Sequence, residues 1–301
     1  MNGFFNILKP PGMSSAAVVA VMRRLTGEKR TGHAGTLDPE AAGVLPIMTG
    51  KATRLFDYLV DKEKEYEAVC AFGASTDTQD ATGTVLETGD NYPDLETVRE
   101  KAREMTGVIT QRPSAFSAIK VGGRPLYSLA RKGETVEVPE RTVTVKSIDV
   151  TGEEPDHGFA LTIRCGKGTY IRTICDDLGK KCGCPAHMRS LVRTRSGAFT
   201  RETGFTLEEA KTLAAAGKLG EKMLPPDWPI QHLRRVDIPA RYAKQTAAGA
   251  KLPADFVEEA AEETENLRVY LDGAFWGIMR REGNLLVWKA QIASEAGPDN
   301  S

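Results

Sequence analysis

Asp38 is the carboxylate of this sequence best placed to do chemistry, because of its neighbours. The stretch Gly32-His33-Ala34-Gly35-Thr36-Leu37-Asp38-Pro39 brings two glycines, a histidine and a carboxylate together and closes on a proline. Pro39 biases Asp38 toward extended backbone, which predicts a loop and not a helix. The glycines let backbone pass close to whatever the loop holds, and Ala34, Gly35 and Thr36 leave room beside the carboxylate. Residues 40–46 continue the turn-rich character. By residue type alone, a glycine-rich connection whose aspartate caps a helix fits as well. Tyr66 lies in the alternating run Lys64-Glu65-Tyr66-Glu67-Ala68-Val69, and Tyr170 and Arg172 in Gly166-Lys167-Gly168-Thr169-Tyr170-Ile171-Arg172. A tyrosine ring can stack on a base while its phenol reaches a sugar or a base edge. An arginine fork suits a carboxylate or a phosphate. A strand tyrosine also packs in cores, and both readings stay open on residue type. Lys120, Arg124 and Arg131 stand near glycines in 112–131, suited to phosphate contact or to a solvated loop.

The elements that must position these groups follow from spacing. Residues 4–12 read as a short strand ended by Pro10-Pro11-Gly12, with Ser14 or Ser15 capping a helix that carries Val18, Met22 and Leu25. Residues 47–62 read as helix or turn and 64–72 as a strand with Tyr66, Ala68, Cys70 and Phe72 on one face. A polar loop over 73–90 turns near Thr82-Gly83. Pro93-Asp94 opens a helix carrying Leu95, Val98, Ala102 and Met105. Strands are predicted over 141–150 and 159–165, then a turn at 166–169 and a helix ended by Gly179. Residues 184–197 form a basic strand region in which Arg189, Arg193 and Arg195 are candidates for backbone phosphates. Leu191 in the same run is a core leucine or a contact to a base. Thr206 with Glu209 makes a capping box. Pro225-Pro226-Asp227-Trp228-Pro229 marks a linker, and 234–292 holds turn-separated short strands including Leu267–Leu271 and Leu285–Trp288. The division expected is 1–225 and 234–292, with a frayed tail at 294–301.

Composition sets outer limits. The 301 residues suffice for one large domain and a small one, with apolar and charged fractions of 41% and 27% as in ordinary globular chains. Net charge is -1, so no global field advertises a nucleic-acid partner. The charge is segregated, however: residues 160–205 hold nine Lys or Arg against three acids, whereas 255–265 hold six acids and no base. A basic face can attract phosphates locally. Five cysteines without framework-like spacing suggest reduced thiols and a cytoplasmic protein. Cys182-Gly-Cys184-Pro-Ala-His187, with Cys175 nearby, does not match the paired C-x-x-C spacing of zinc knuckles. Gly166-Lys167-Gly168 lacks the full phosphate-loop spacing. No apolar run approaches the roughly 20 residues of a membrane span, and neither a signal nor a transit pattern is expected at the N-terminus.

The stretch Gly32–Pro39 followed by Ala42-Gly43-Val44-Leu45 resembles the catalytic-loop signature of the tRNA pseudouridine synthase B family. Lys9-Pro10-Pro11-Gly12-Met13-Ser14-Ser15 resembles its first motif, with serine for threonine, which supports the loop from behind. The run 112–131 resembles a long family signature, and Lys167-Gly-Thr-Tyr-Ile-Arg-Thr173 matches the third motif in full. The resemblance implies a mixed α/β fold, α+β, around a central, largely antiparallel sheet, with a small barrel-like PUA domain over 234–292. It implies isomerisation of uridine 55 in the T-loop of tRNA to pseudouridine, with no cofactor and no metal. Asp38 would be the catalytic residue, Tyr66 the active-site tyrosine, and Arg172 a bidentate partner holding Asp38 ionised. Tyr170 and Leu191 would lie beside the base, and His33 would fill the RNA loop once the base leaves it. Lys120 and Arg131 complete the expected substrate contacts. The partners implied are the T-stem-loop and the acceptor end of tRNA, with no guide RNA and no membrane, for a monomeric enzyme. Two rivals stand beside this reading: a guide-RNA-dependent synthase of the same architecture working inside a particle, and a tRNA-binding folding helper without activity. Asp38, Tyr66 and Arg172 together favour an enzyme, and the loop over 73–90 with the helix near 94–106 favours the stand-alone type.

Overall fold

The computed structural model describes residues 1–60, 62–117, 120–121, 124–126, 130, 138–257 and 265–293. In its first half run β1 (Gly3–Lys9), α1 (Ser15–Thr26), β2 (Thr31–His33), β3 (Ala42–Thr49), α2 (Phe56–Val60), β4 (Lys64–Phe72), β5 (Ala74–Thr76), β6 (Val85–Thr88), α3 (Leu95–Glu104) and β7 (Gly107–Gln111). Then come β8 (Lys120–Val121), β9 (Arg124–Pro125), β10 (Arg141–Glu154), β11 (Gly158–Cys165), α4 (Ile171–Cys182), β12 (Ala186–Ser196), β13 (Phe199–Thr200), β14 (Phe205–Thr206) and α5 (Leu207–Ala215). The last part holds β15 (Arg234–Asp237), α6 (Ala243–Ala247), β16 (Leu252–Pro253), β17 (Asn266–Leu271), β18 (Ala274–Glu282) and β19 (Leu285–Gln291).

The central sheet runs β14-β1-β3-β12-β4-β11-β10-β7, with β2 on β3 and β13 on β12. Its pairs are antiparallel except β1 with β14 and β12 with β3. That is the mixed α/β, largely antiparallel architecture expected. Period-two alternation puts Tyr66, Ala68, Cys70 and Phe72 of β4 in the core with Phe5, Ile7, Leu161 and Ile163. Helices α1 and α4 cover that face through Val18, Met22, Ile171, Ile174 and Leu178, with Val98 of α3 and Ala210 of α5. The caps are those predicted: Ser14 accepts from Ala17, Asp94 from Thr97, and Thr206 and Glu209 close a full capping box.

Two elements differ from expectation. Ala42–Thr49 is a strand, paired with β1 from Gly43 to Thr49, where turn was read through 46 and helix or turn from 47. Its Gly43 has φ 102 and sits against the Arg193 backbone, leaving no space for a Cβ. That glycine serves sheet packing and not a turn. Helix α4 continues past Gly179 to a left-handed Gly183. A Cβ at 179 would stand 2.6 Å from the Ala186 Cβ, so this glycine lets the helix lie close to β12.

The second sheet, β15-β17-β18-β19-β16, encloses its own apolar cluster around Val269, Trp276 and Met279. It also shares a cluster with the central sheet, in which Ile278, Ala290 and Ile292 pack with Phe4, Val44, Leu55 and Phe199. The proline-rich segment between the sheets is part of this joint. Leu224 exchanges backbone hydrogen bonds with Phe4, the Trp228 ring lies 5.2 Å from that of Phe199, and the Tyr270 hydroxyl donates to Asp227 at 2.6 Å.

Candidate active site

The loop between β2 and β3 is held through its backbone. Ser15 Oγ accepts from the Leu37 N–H and donates to the Leu37 carbonyl, both at 2.9 Å. Lys9, which carries no assigned chemistry in the sequence reading, is almost fully buried beneath it. Its Nζ donates to the carbonyls of Pro10 (2.8 Å), Met13 (2.5 Å) and Pro39 (2.7 Å). Burial is the larger influence on this ammonium and lowers its pKa to about 8, against the pull of Glu40 and Asp38. From the other side Arg193 donates to Gly35 O (3.0 Å), Thr36 O (3.3 Å) and Val44 O (2.8 Å). With its backbone fixed on both sides, the loop leaves the Asp38 side chain 40% exposed.

Asp38 stands where two cavities meet. One, of about 270 Å³, is lined by Asp38, Tyr66, Tyr170, Arg172, Leu191 and Arg193, among others. The other, of about 560 Å³, adds Asp80, Phe116, Met188 and Arg189. The geometry therefore gathers five of the eight residues expected at the site: Asp38, Tyr66, Tyr170, Arg172 and Leu191.

Arg172 opens the first turn of α4 and is buried, but its fork is not given to Asp38. Nη2 donates to Phe116 O at 3.0 Å and Nη1 to Thr78 O at 3.4 Å, and Asp80 Oδ2 lies 3.8 Å from Nη1. Only Nε faces Asp38, at 3.7 Å from Oδ2. The expected bidentate pair is corrected to a single-edge ion contact, because neighbouring carbonyls and Asp80 occupy the fork. Asp80 is held in turn by Thr78 Oγ1 (2.8 Å), Thr82 Oγ1 (2.6 Å) and Thr82 N–H (3.0 Å) on its Oδ1.

Tyr170 precedes α4. The Gln111 amide clamps its backbone, accepting from Tyr170 N–H and donating to Tyr170 O, each at 3.0 Å. Its ring lies 5.6 Å from the Arg172 guanidinium and 5.7 Å from that of Arg141, within cation–π range. Tyr66 of β4 is buried, with Arg193 opposite it across the ladder. Burial raises the phenol pKa and the Arg193 charge opposes that rise. Leu191 stands two residues from Arg193 on the same face of β12.

The remaining expectations divide. His33 ends β2 opposite Ile47, and its Nδ1 is buried without a hydrogen-bond partner among the described residues. Burial and then Arg193 lower its pKa, favouring the neutral ring. It is not among the residues lining the two cavities. The backbone of Lys120 pairs with Pro125 in the β8–β9 hairpin, and Arg131 lies outside the described residues. The three arginines expected at phosphates do not act as one set. Arg193 is interior, Arg195 pairs with Glu63, and Arg189 donates to Pro155 O at 2.8 Å beside the second cavity. Sequence reasoning missed Lys9, Gln111 and the interior role of Arg193. Alternation along β12 from Leu191 was a usable signal for Arg193; an isolated glutamine gives none.

The TruB family pseudouridylate synthase N-terminal domain is matched over residues 23–171, and the tRNA pseudouridylate synthase B C-terminal domain over 172–243. The chain is 43% identical to the tRNA pseudouridine synthase B of Bacillus licheniformis over 270 residues, 87% of each chain. It is 40% identical to that of Alkaliphilus oremlandii over 286 residues, 94% of each. Among solved structures, a Cbf5-Nop10-Gar1 complex aligns at TM-score 0.72 and 26% identity, covering 94% of this chain and 79% of the other. An H/ACA RNP bound to a substrate RNA aligns at TM-score 0.74 and 23% identity, covering 98% and 87%.

Proposed function

This chain belongs to the TruB family of pseudouridylate synthases and isomerises uridine to pseudouridine in tRNA, and from that premise we propose that its target is uridine 55 of the T-loop, with Asp38 as the catalytic carboxylate. The observation that carries the reading is the position of Asp38: a half-exposed carboxylate on a loop pinned by buried cations, facing Arg172 Nε at 3.7 Å where two cavities meet. A uridine stacked in an RNA loop hides its glycosidic carbon, so the base is extruded first, at a cost of a few kcal/mol. The smaller cavity is of the size that receives one nucleoside and not a duplex.

In the reaction the C1′–N1 bond breaks, the uracil turns while held, and a C1′–C5 bond forms. C5 gives up a proton and N1 takes one, so substrate and product have the same formula. Asp38 serves as nucleophile or as charge stabiliser at the sugar. Tyr66 stacks on the base and takes part in the proton transfer, while Tyr170 and Leu191 hold the ring between them. Arg172 orients Asp38 through Nε, and His33 fills the gap in the T-loop. Lys120 and Arg131 contact the RNA backbone. Residues 234–292 act as a PUA-like module for the acceptor end. The protein works as a cytoplasmic monomer without guide RNA, a reading supported by its likeness to bacterial tRNA pseudouridine synthase B enzymes.

The test is incubation of the purified chain alone with an unmodified tRNA transcript, locating pseudouridine by position. Product at uridine 55 alone is expected, and product elsewhere overturns the T-loop assignment. Asp38→Asn should abolish turnover while tRNA affinity stays within about tenfold, roughly 1.4 kcal/mol. Turnover by a clean preparation of that variant removes Asp38 from the centre of the mechanism.

A further inference from the structure

Arg193 is the largest fully buried side chain among the described residues, at 1% exposure. Among the described residues its guanidinium forms no ion pair with a carboxylate; three of its N–H groups go to the carbonyls of Gly35, Thr36 and Val44. Interior guanidinium groups are costly unless something uses their charge or their donors. Here the chain has been shaped around it. Gly35, at φ 102, takes a backbone conformation that favours glycine where its carbonyl meets Nη2, and Gly43 admits the Arg193 backbone itself. Both glycines belong to the catalytic-loop signature.

We propose that Arg193 is a positioning residue that fixes the Asp38 loop to β12 and directs its charge onto the Tyr66 hydroxyl, so that the phenol can give up and regain a proton during isomerisation. The inference rests on the reading of Tyr66 as a proton-handling group. The register places the two residues as direct neighbours: Arg193 opposes Tyr66 across β12 and β4 and opposes Gly43 across β12 and β3. Both line the smaller cavity. One strand position therefore reaches the loop on one side and stands directly across from Tyr66 on the other. The other groups facing the phenol are Cys165 of β11 and Asp38 of the loop, both of which raise its pKa, as does burial. Lys64, Lys167, Tyr170 and Arg172 line the same cavity. Arg193 is the group that opposes burial most. A fixed positive charge in a site of low dielectric stabilises a phenolate more than a solvated charge would.

The experiment uses full-length protein with difluorotyrosine introduced at position 66, whose fluorines bring phenol ionisation into a measurable range and report it by 19F NMR. Arg193→Gln and Arg193→Lys are made in that background and, separately, with Tyr66 intact for single-turnover assays on tRNA. Arg193→Gln should raise the apparent pKa of the labelled phenol by about one unit or more. It should slow the single-turnover rate by roughly a hundredfold with tRNA affinity changed less than about threefold. Arg193→Lys keeps the charge and loses the fork, so the phenol titrates within about half a unit of the parent while the rate still falls. If Arg193→Gln does not fold, the lysine variant decides: a parent-like titration with a lowered rate supports the proposal. An unchanged titration in Arg193→Gln, or one raised in Arg193→Lys as well, overturns it. Tyr66→Phe separates the two readings. Full single-turnover activity in that variant removes the role of Tyr66 itself, whereas an inactive Tyr66→Phe beside an unshifted Arg193→Gln removes only the role of Arg193.

Discussion

Replacing Lys9 by methionine tests whether the active-site loop is held from beneath by a buried charge. The side chains have similar length, so the change removes an ammonium and three N–H donors without opening a large cavity. It leaves the carbonyls of Pro10, Met13 and Pro39 without that donor. Each orphaned carbonyl costs about 1–3 kcal/mol if it stays dry. Against this stands relief of the burial that lowers the Lys9 pKa from 10.5 to about 8, worth about 3 kcal/mol at 1.36 kcal/mol per pKa unit. The net loss at neutral pH should be about 0–6 kcal/mol, an order-of-magnitude figure. The sign with pH is definite. The folded-state pKa lies below the unfolded value, so the unfolded chain holds the proton more tightly and the fold bears the full cost of charge burial below about pH 8. That cost fades as pH rises from about 8 toward 10.5, and the parent gains stability relative to Lys9→Met over that window by up to about 3 kcal/mol. Urea unfolding of both proteins at intervals from pH 7 to pH 10, with tRNA turnover at neutral pH, measures both effects. A stability difference flat across the window, or a variant as stable and as active as the parent at pH 7, refutes the account of Lys9 as a strained but necessary anchor.

Gly43→Ala should destabilise the protein by about 3 kcal/mol or more, because φ is 102 and the new Cβ overlaps the Arg193 carbonyl; thermal unfolding checks this. Arg172→Lys should cut the single-turnover rate by more than about tenfold across neutral pH, since one ammonium cannot serve Phe116, Thr78, Asp80 and Asp38 together. A near-parental rate would mean those contacts do not matter. Truncation before Trp228 removes Trp228, Ile230, Ile278, Ala290 and Ile292 from a shared cluster, in which each fully buried isoleucine is worth about 1.5–3 kcal/mol. The melting temperature should drop by more than about 10 °C, and a drop of only a few degrees would show that the second sheet folds apart from the first. If the truncated chain stays folded, it should still modify an isolated T-stem-loop.

Much of the fold was legible because its signals are local. Alternation in 64–72 and 159–165, and the caps at Ser14, Asp94 and Thr206, each depend on a few neighbouring residues, and the structure repeats them. Ala42–Thr49 was misread because Gly43 and Pro46 are the residues that usually end strands. Here they sit where β3 meets the Arg193 backbone on one side and accepts the Ala34 N–H on the other, which only the long-range partners disclose. Gly179 misled for the same reason: the close helix–sheet contact that requires it comes from a strand later in the sequence.

The loop, the tyrosines and Arg172 were likewise visible as types at suggestive spacings, but their supports were not. A sequence shows that Arg189, Arg193 and Arg195 are charged and close together; alternation from Leu191 points to Arg193 but equally to the other two, so it does not show which one faces inward. Register decides that: the alternation that brings Leu191 to the cavity brings Arg193 there too, and a register shift between Arg193 and Arg195 leaves Arg195 to pair with Glu63. The consequence reaches the electrostatics of the site. Lys64, Lys167, Arg172, Arg189 and Arg193 line the two cavities, with Lys9 beneath the loop, against the carboxylates of Asp38, Glu40 and Asp80. The region is therefore positive although the chain as a whole carries a net charge of -1. A substrate that is itself a polyanion meets that local excess, not the average, so near-neutral composition was weak evidence against an RNA partner.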